Sequence, residues 1–331
     1  MKNALKIPGY ALGGFLALAC GGDGGTAPPP PPPASSWVRK ASLPEGPLAG
    51  AVSFVAQGHF YVGTGFRNGF VYSFNEYDPT LDKWTYVVPL PAAPRANGIA
   101  FAIGDYGYVG LGGYFTCGGL CTFTELNDLW RFDPRTWAWD RMADFPGTAR
   151  RFATSFVIGG KAYVTGGSHA NDYDLWEYDP AANSWTEKAD YPGRCAGRGT
   201  AFAVGDKGYV GLGFSDGHCA DFWRYDPSAN SWRAVATFPG LPRFDALGFA
   251  VANTPYIVSG GRQVGDLTDV WTYNSANDTW SELETAYPGK GRYQMISGIV
   301  AGKIFLGLGT TSDTGGLETR FDDFWEYVPA K

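Results

Sequence analysis

Charge is scarce in this 331-residue chain, with Asp, Glu, Lys and Arg together at 18%. Histidine is scarcer still, three residues in all, which argues against a His-rich metal site. The Ala/Glu/Lys/Leu excess of a helical bundle or coiled coil is missing. Net charge is −6, and −8 once residues 1–19 are removed with Lys2 and Lys6. A mildly acidic chain has no global field for nucleic acid, so no nucleic-acid partner is expected. There is no nucleophile elbow, no phosphate loop and no His-Glu-x-x-His. What is abundant is glycine (47), proline (23) and aromatics (16%), including twelve tryptophans. That composition is too apolar for disorder and calls for many turns between short strands. The tryptophans admit two readings, sugar stacking or packing.

The N-terminus has the layout of a secretory signal: Lys2 and Lys6, an apolar stretch from Ile7, then Ala17-Leu18-Ala19 before Cys20. It is shorter than the roughly 20 residues a membrane span needs. It resembles the bacterial lipoprotein signal, with Ala17 where that signal prefers Leu. The resemblance implies cleavage before Cys20 and lipidation of its thiol. Gly21 in place of Asp after that cysteine fits outer-membrane sorting. Gly21 to Gly25 and Pro28 to Pro33 cannot pack and read as a tether, the proline run extending about 3.1 Å per residue. The expected organisation is a signal peptide over 1–19, a lipid-anchored tether over 20–36 and one domain over 37–331. The expected location is an exported protein anchored in the outer membrane or at the cell surface.

From residue 37 onward the chain repeats. Aspartate-proline pairs stand at Asp78-Pro79, Asp133-Pro134, Asp179-Pro180 and Asp226-Pro227, each after Tyr77, Phe132, Tyr178 or Tyr225. Five residues beyond each proline is Trp84, Trp139, Trp185 or Trp232; a fifth copy runs from Tyr273 to Trp280, and a sixth ends at Pro329. A period of this length means a propeller or an array. Each unit holds four strand-like pieces. In the third these are Phe152–Ile158, Ala162–Thr165, Asp174–Tyr178 and the segment from Trp185, separated by turn residues.

The Tyr-Val-x-Gly-Gly strand end (Tyr163 to Gly167), the Asp-x-Trp-x-Tyr-Asp-Pro strand and the late Trp resemble the kelch family of β-propellers across residues 37–329. The Gly pair varies in Gly63-Thr64-Gly65, Gly211-Leu212-Gly213 and Gly307-Leu308-Gly309. The expected fold is all-β, a six-bladed kelch-type propeller. Its last unit lacks a fourth strand, and the strand around Trp37 is expected to supply it and close the ring. Eleven tryptophans then occupy repeated third- or fourth-strand positions, which favours packing; Trp137 falls outside the pattern.

Chemistry is expected on the face carrying the long, unequal loops: Phe66–Phe70, Tyr114–Asn127, Ser168–Asp172, Phe214–Ala220, Arg262–Thr268 and Thr310–Phe321. Arg95, Arg150, Arg243 and Arg292 open the first strand of four units, with Ala196 and nearby Arg194 and Arg198 in the fourth unit and Leu48 in the first. The resemblance implies that first strands are innermost, so these arginines are expected at the mouth of a central channel. They either clamp an anion or pair with Asp128, Asp174, Asp221, Asp269 and Asp323. Arg198 joins them as a candidate ligand-binding residue. Four further cysteines suggest two disulfides in an exported protein; three pairings are possible, and proximity favours Cys117–Cys121 with Cys195–Cys219. His218 beside Cys219 is half a zinc site at most, and no metal or cofactor is expected. His169 with Asp172 and Asp174 reads as turn chemistry or an acid–base cluster. Glu125 and Glu318 are the acidic loop residues to test first. No catalytic residue is identified.

Two functions fit: a non-enzymatic binding module holding a protein or glycan on the loop face, or an enzyme. Some six-bladed kelch proteins are sialic acid mutarotases, which would place an anionic sugar in an arginine-lined funnel. Copper oxidases of the galactose oxidase type share the repeat, but three scattered histidines count against them. A monomer is expected.

Overall fold

The computed structural model describes residues 35–263, 265–312 and 318–329. The expected signal peptide, Cys20 and most of the tether lie outside the described residues. Among the described residues there is no helix. Six four-stranded antiparallel sheets form the blades of a propeller. The third blade comprises Thr154–Ile158, Lys161–Thr165, Leu175–Asp179 and Ser184–Lys188, hydrogen-bonded in that order. Val, Ile, Tyr, Phe and Trp alternate along these strands, the residues that fit a pleated, packed surface.

Ring closure follows from one pairing. Ser36–Lys40 lies antiparallel to Phe324–Val328, with Trp37 opposite Tyr327, and becomes the outer strand of the sixth blade. The Trp37 ring meets Tyr327 at 4.6 Å and Tyr287 at 5.4 Å between centroids. Each first strand packs against the first strands of both neighbours, so these six line the axis. The core lies between blades as repeated apolar clusters. Contact there is close: a Cβ on Gly107 of the second blade would sit 2.1 Å from the Phe54 ring of the first.

The tryptophans hold blades together. Trp84, Trp185, Trp232 and Trp280 donate Nε1–H to the carbonyls of Ala41, Ala143, Ala189 and Ala236, one blade back. The N–H groups of the same four alanines donate to Asp82, Asn183, Asn230 and Asp278. Each of these acceptors sits in the left-handed region and takes a hydroxyl from Tyr77, Tyr178, Tyr225 or Tyr273, five residues earlier. Trp137 is the second blade's residue at this turn position, at φ 55° and 42% exposed. The residue five before it is Phe132, which has no hydroxyl. Among the blades whose fourth strand follows the third directly in sequence, the odd tryptophan therefore marks the one where this tyrosine–Asx bridge is absent.

Closure through Trp37 has a measurable consequence. Trp37→Ala removes a half-buried indole from the closing strand and should cost about 2 kcal/mol of stability. Urea unfolding of the full chain measures it; an unchanged midpoint would show that the ring holds without this contact.

Candidate functional site

The arginines that open the first strands resolve first. Arg95, Arg150, Arg243 and Arg292 are all buried, at 0–1% exposure. Arg95 meets Asp128 through two bonds, Nη1 at 2.6 Å and Nη2 at 2.8 Å. Arg150 does the same with Asp174 at 2.6 and 3.0 Å. Arg243 and Arg292 pair likewise with Asp269 and Asp323. Every one also donates Nη1–H to the carbonyl sixteen residues on, and Nε–H to the carbonyl two residues back. Trp130, Trp176, Trp271 and Trp325 donate Nε1–H to the same four carboxylates at 2.7–2.9 Å. Guanidinium and carboxylate are thus satisfied within the blade. Of the two roles open to these four arginines, their geometry is that of internal pairing, and none of them lines the cleft described below.

The two blades without this arginine solve the same problem differently. In the fourth, Ala196 stands in its place and Cys195–Cys219 joins the start of the first strand to the loop before the third. Asp221 there accepts the backbone N–H of Arg194 and the indole N–H of Trp223. In the first blade Leu48, Ser73 and Asn75 replace arginine, aspartate and tryptophan together, and Leu48 packs in an apolar cluster.

Two residues beyond each clamp position comes the ring that does face the axis: Gly50, Asn97, Phe152, Arg198, Asp245 and Gln294, all at φ between 46° and 60°. Their backbones bond around the channel. The N–H of Asn97 donates to the Gly50 carbonyl, and Phe152, Arg198, Asp245 and Gln294 each donate to the preceding member, over 2.8–3.3 Å. Left-handed backbone is unfavourable for Phe and Arg, and such strain concentrates where a site is built. Below the ring the channel is lined by small residues such as Ser53, Ser155, Ala201 and Gly248.

Above the ring opens a cleft of about 420 Å³, within the range of small-ligand sites. Its walls come from loops that the sequence marks as unequal. Phe70 meets Phe66 of the first blade and Phe115 of the second edge to face, and Phe66 and Phe115 lie tilted, with centroids 4.9–5.9 Å apart. Phe115 and Phe123 belong to an extra hairpin, Gly113–Cys117 and Cys121–Glu125, whose tip is tied by Cys117–Cys121. Both disulfides thus form in the expected pairing, which leaves His218 no free thiolate beside it. Burial, then the Arg262 charge, lowers the His218 pKa.

Three arginines reach the cleft: Arg151, Arg198 and Arg320. The Arg198 guanidinium lies 4.6 Å from the Phe152 ring and 4.2 Å from the Phe244 ring. Its Nε donates to Asp245 Oδ2 at 2.8 Å, and Nη2 donates to the same oxygen. Burial raises the Asp245 pKa, opposed by Arg198 and by the Gln294 side chain. Arg151 lies over Phe123 at 4.1 Å and pairs with Glu125 at 3.3 Å. Arg320 lies over Phe66 at 4.8 Å and pairs with Glu318. His169 bridges two blades, Nε2 at 3.0 Å from Glu125 and Nδ1 at 3.1 Å from Asp172; Asp174 belongs to the Arg150 clamp instead. Of the five arginines expected to bind ligand, only Arg198 is in the cleft. Arg151, Arg320 and the phenylalanine walls carry no mark in the repeat pattern, although most of them stand in or beside the unequal loops.

Residues 111–246 match the family model described as the KLHDC2/KLHL20/DRC7 Kelch-repeats domain. The solved structure of YjhT superposes with a TM-score of 0.71 at 18% identity, over 85% of this chain and 95% of that one. No curated protein matches the chain. Repeat and architecture are those of a kelch-type six-bladed propeller.

Two tests follow from the clamp. Arg95→Ala leaves a buried carboxylate unpaired and should cost about 3–5 kcal/mol. Burial raises the Asp128 carboxyl, but bonds from Arg95 and Trp130 outweigh that and hold it below its ordinary value. Its contribution is therefore present above the unfolded pKa and lost as pH falls through the folded one. Denaturation in Arg95→Ala should accordingly show a shallower loss of stability below about pH 4 than the parent; parallel curves would refute the assignment. In the fourth blade, Cys195→Ser/Cys219→Ser should lose about 3 kcal/mol, and adding Ala196→Arg should restore part of it by pairing with Asp221. No recovery in Tm would show that the disulfide does not stand in for the clamp.

Proposed function

We propose that this protein is a non-enzymatic binding module of the cell envelope, holding a protein or glycan ligand in the cleft on its loop face. The observation that carries the reading is the cleft itself: phenylalanines from separate loops and three arginines converge over a strained backbone ring, on a rigid closed scaffold. The kelch-type fold is consistent with an interaction module. Two disulfides suit an oxidising, non-cytoplasmic compartment. The charged start, the apolar stretch and Cys20 support export and lipid anchoring, and the Gly/Pro stretch supports a spacer that holds the propeller away from the membrane.

The enzymatic alternative, a mutarotase-like protein with an anionic sugar in its funnel, drew on an arginine-lined mouth. Four of the five arginines it relied on are spent inside the blades, which is why the binding reading is preferred.

The test is a glycan array and an envelope-protein pull-down with the full chain and two variants, Phe152→Ala and Phe115→Ala/Phe123→Ala. Binding by the parent, weakened about tenfold or more in both variants, is the expected result. Binding that both variants retain would move the site off the cleft. No binding together with a positive anomeric-exchange assay would favour the enzyme.

A further inference from the structure

Resting on that reading, and narrowing it, we infer that the cleft selects an uncharged polyhydroxylated ring, a neutral saccharide, and discriminates against acidic sugars. Three arginines at a cleft ordinarily suggest an anion. Here each has a carboxylate: Arg198 with Asp245, Arg151 with Glu125, Arg320 with Glu318. Nearby Arg67 is also paired, with Glu45. Formal charge over the three cleft pairs sums to zero. A carboxylate or phosphate that engages Arg198 would have to displace Asp245, whose side chain is 11% exposed, or sit beside it. Either is unfavourable: a buried carboxylate losing its arginine is left uncompensated, and two carboxylates at one site repel.

The remaining chemistry suits hydroxyl groups. Asn97, Asp245 and Gln294 share the ring at the bottom of the cleft with Arg198. An amide offers both a donor and an acceptor, a guanidinium several donors and a carboxylate only acceptors. That mixture matches the alternating donor and acceptor roles of sugar hydroxyls. Asp245 takes two Arg198 nitrogens through a single oxygen, Oδ2, so the third guanidinium nitrogen lies outside this pair. The walls supply flat apolar faces of the kind that pack against the C–H face of a pyranose. The left-handed backbone at Asn97, Arg198, Asp245 and Gln294 ties the polar side chains to one rigid ring, so little ordering is needed on binding.

The charge balance makes a sharp experiment. Asp245→Asn keeps the side-chain shape and removes the charge that neutralises Arg198. The full chain, Asp245→Asn and Arg198→Gln are titrated by calorimetry with matched probes, a neutral galactose- or glucose-terminated oligosaccharide and its sialylated or uronate counterpart. The parent is expected to bind the neutral probe in preference, with affinity little changed between about 50 and 500 mM NaCl. Asp245→Asn should shift the acidic-to-neutral affinity ratio upward by about tenfold or more, and Arg198→Gln should weaken the neutral probe without that shift. Circular dichroism melts confirm that each variant folds. The inference is overturned if the parent prefers the acidic probe, if Asp245→Asn leaves the ratio unchanged, or if neither probe binds. The broader binding reading survives those outcomes if the pull-down still returns a ligand that Phe152→Ala releases, and fails with the inference if it does not.

Discussion

A buried bidentate pair between the arginine that opens the first strand and the aspartate that opens the third organises the blades. Four guanidinium groups at essentially zero exposure would be prohibitive without complete satisfaction. Each has it: two bonds to the carboxylate, one to the carbonyl at the end of the second strand, one to its own chain two residues back. The carbonyl at the end of the second strand belongs to a left-handed turn, and the glycine that follows continues the construction. Gly65, Gly112, Gly167, Gly213, Gly260 and Gly309 each donate N–H to the carbonyl of the clamp-position residue in the next blade, Arg95, Arg150, Ala196, Arg243, Arg292 and Leu48 in turn. The side chain fixes the turn within one blade, and the turn's backbone fixes the next blade. The side-chain step occurs in four blades and the backbone step in all six, so the backbone bonds return to the start.

That arrangement separates structure from site by two residues. At the clamp position the side chain goes inward and is consumed. Two positions later, the backbone turns left-handed and the side chain faces the axis. Because the clamp fixes the backbone, the facing position is free to vary, and it does: Gly, Asn, Phe, Arg, Asp, Gln. The strain of Phe152 at positive φ is held by the Arg150 clamp and the inter-blade bonds, and that of Arg198 by the inter-blade bonds beside the Cys195–Cys219 disulfide. Where the arginine is missing, a disulfide at Cys195–Cys219 or an apolar cluster around Leu48 takes its place, and the left-handed axial position is kept in both blades, at Arg198 and Gly50.

Much of this was visible along the chain. The repeat, the six blades, closure by the Trp37 strand and the packing role of most tryptophans can be read from spacing, because they arise from similar residues at a near-fixed period; the disulfide pairing rests only on the proximity of the cysteines in the chain. The loop face was legible for the opposite reason, since its segments are unlike one another. The arginines were ambiguous. Arg95 and Asp128 are 33 residues apart across a variable loop, Arg150 and Asp174 only 24, so the sequence displays both partners without saying which way the guanidinium turns. Trp137 was misfit for a similar reason. Its offset from Phe132 equals that of Asn183 from Tyr178, but only the backbone angle shows that it fills the same turn.

Sequence alone therefore determined the architecture, since a repeated pattern can satisfy its hydrogen bonds and bury its aromatics in one way only, blade against blade in a closed ring. The site was decided by tertiary structure. Phe66, Phe115, Arg151, Arg198 and Arg320 come from five different blades, and they meet only because closure brings their loops to one mouth. Whether an arginine is available to a ligand depends on which carboxylate stands opposite it in space, and that distance is not written in the order of residues.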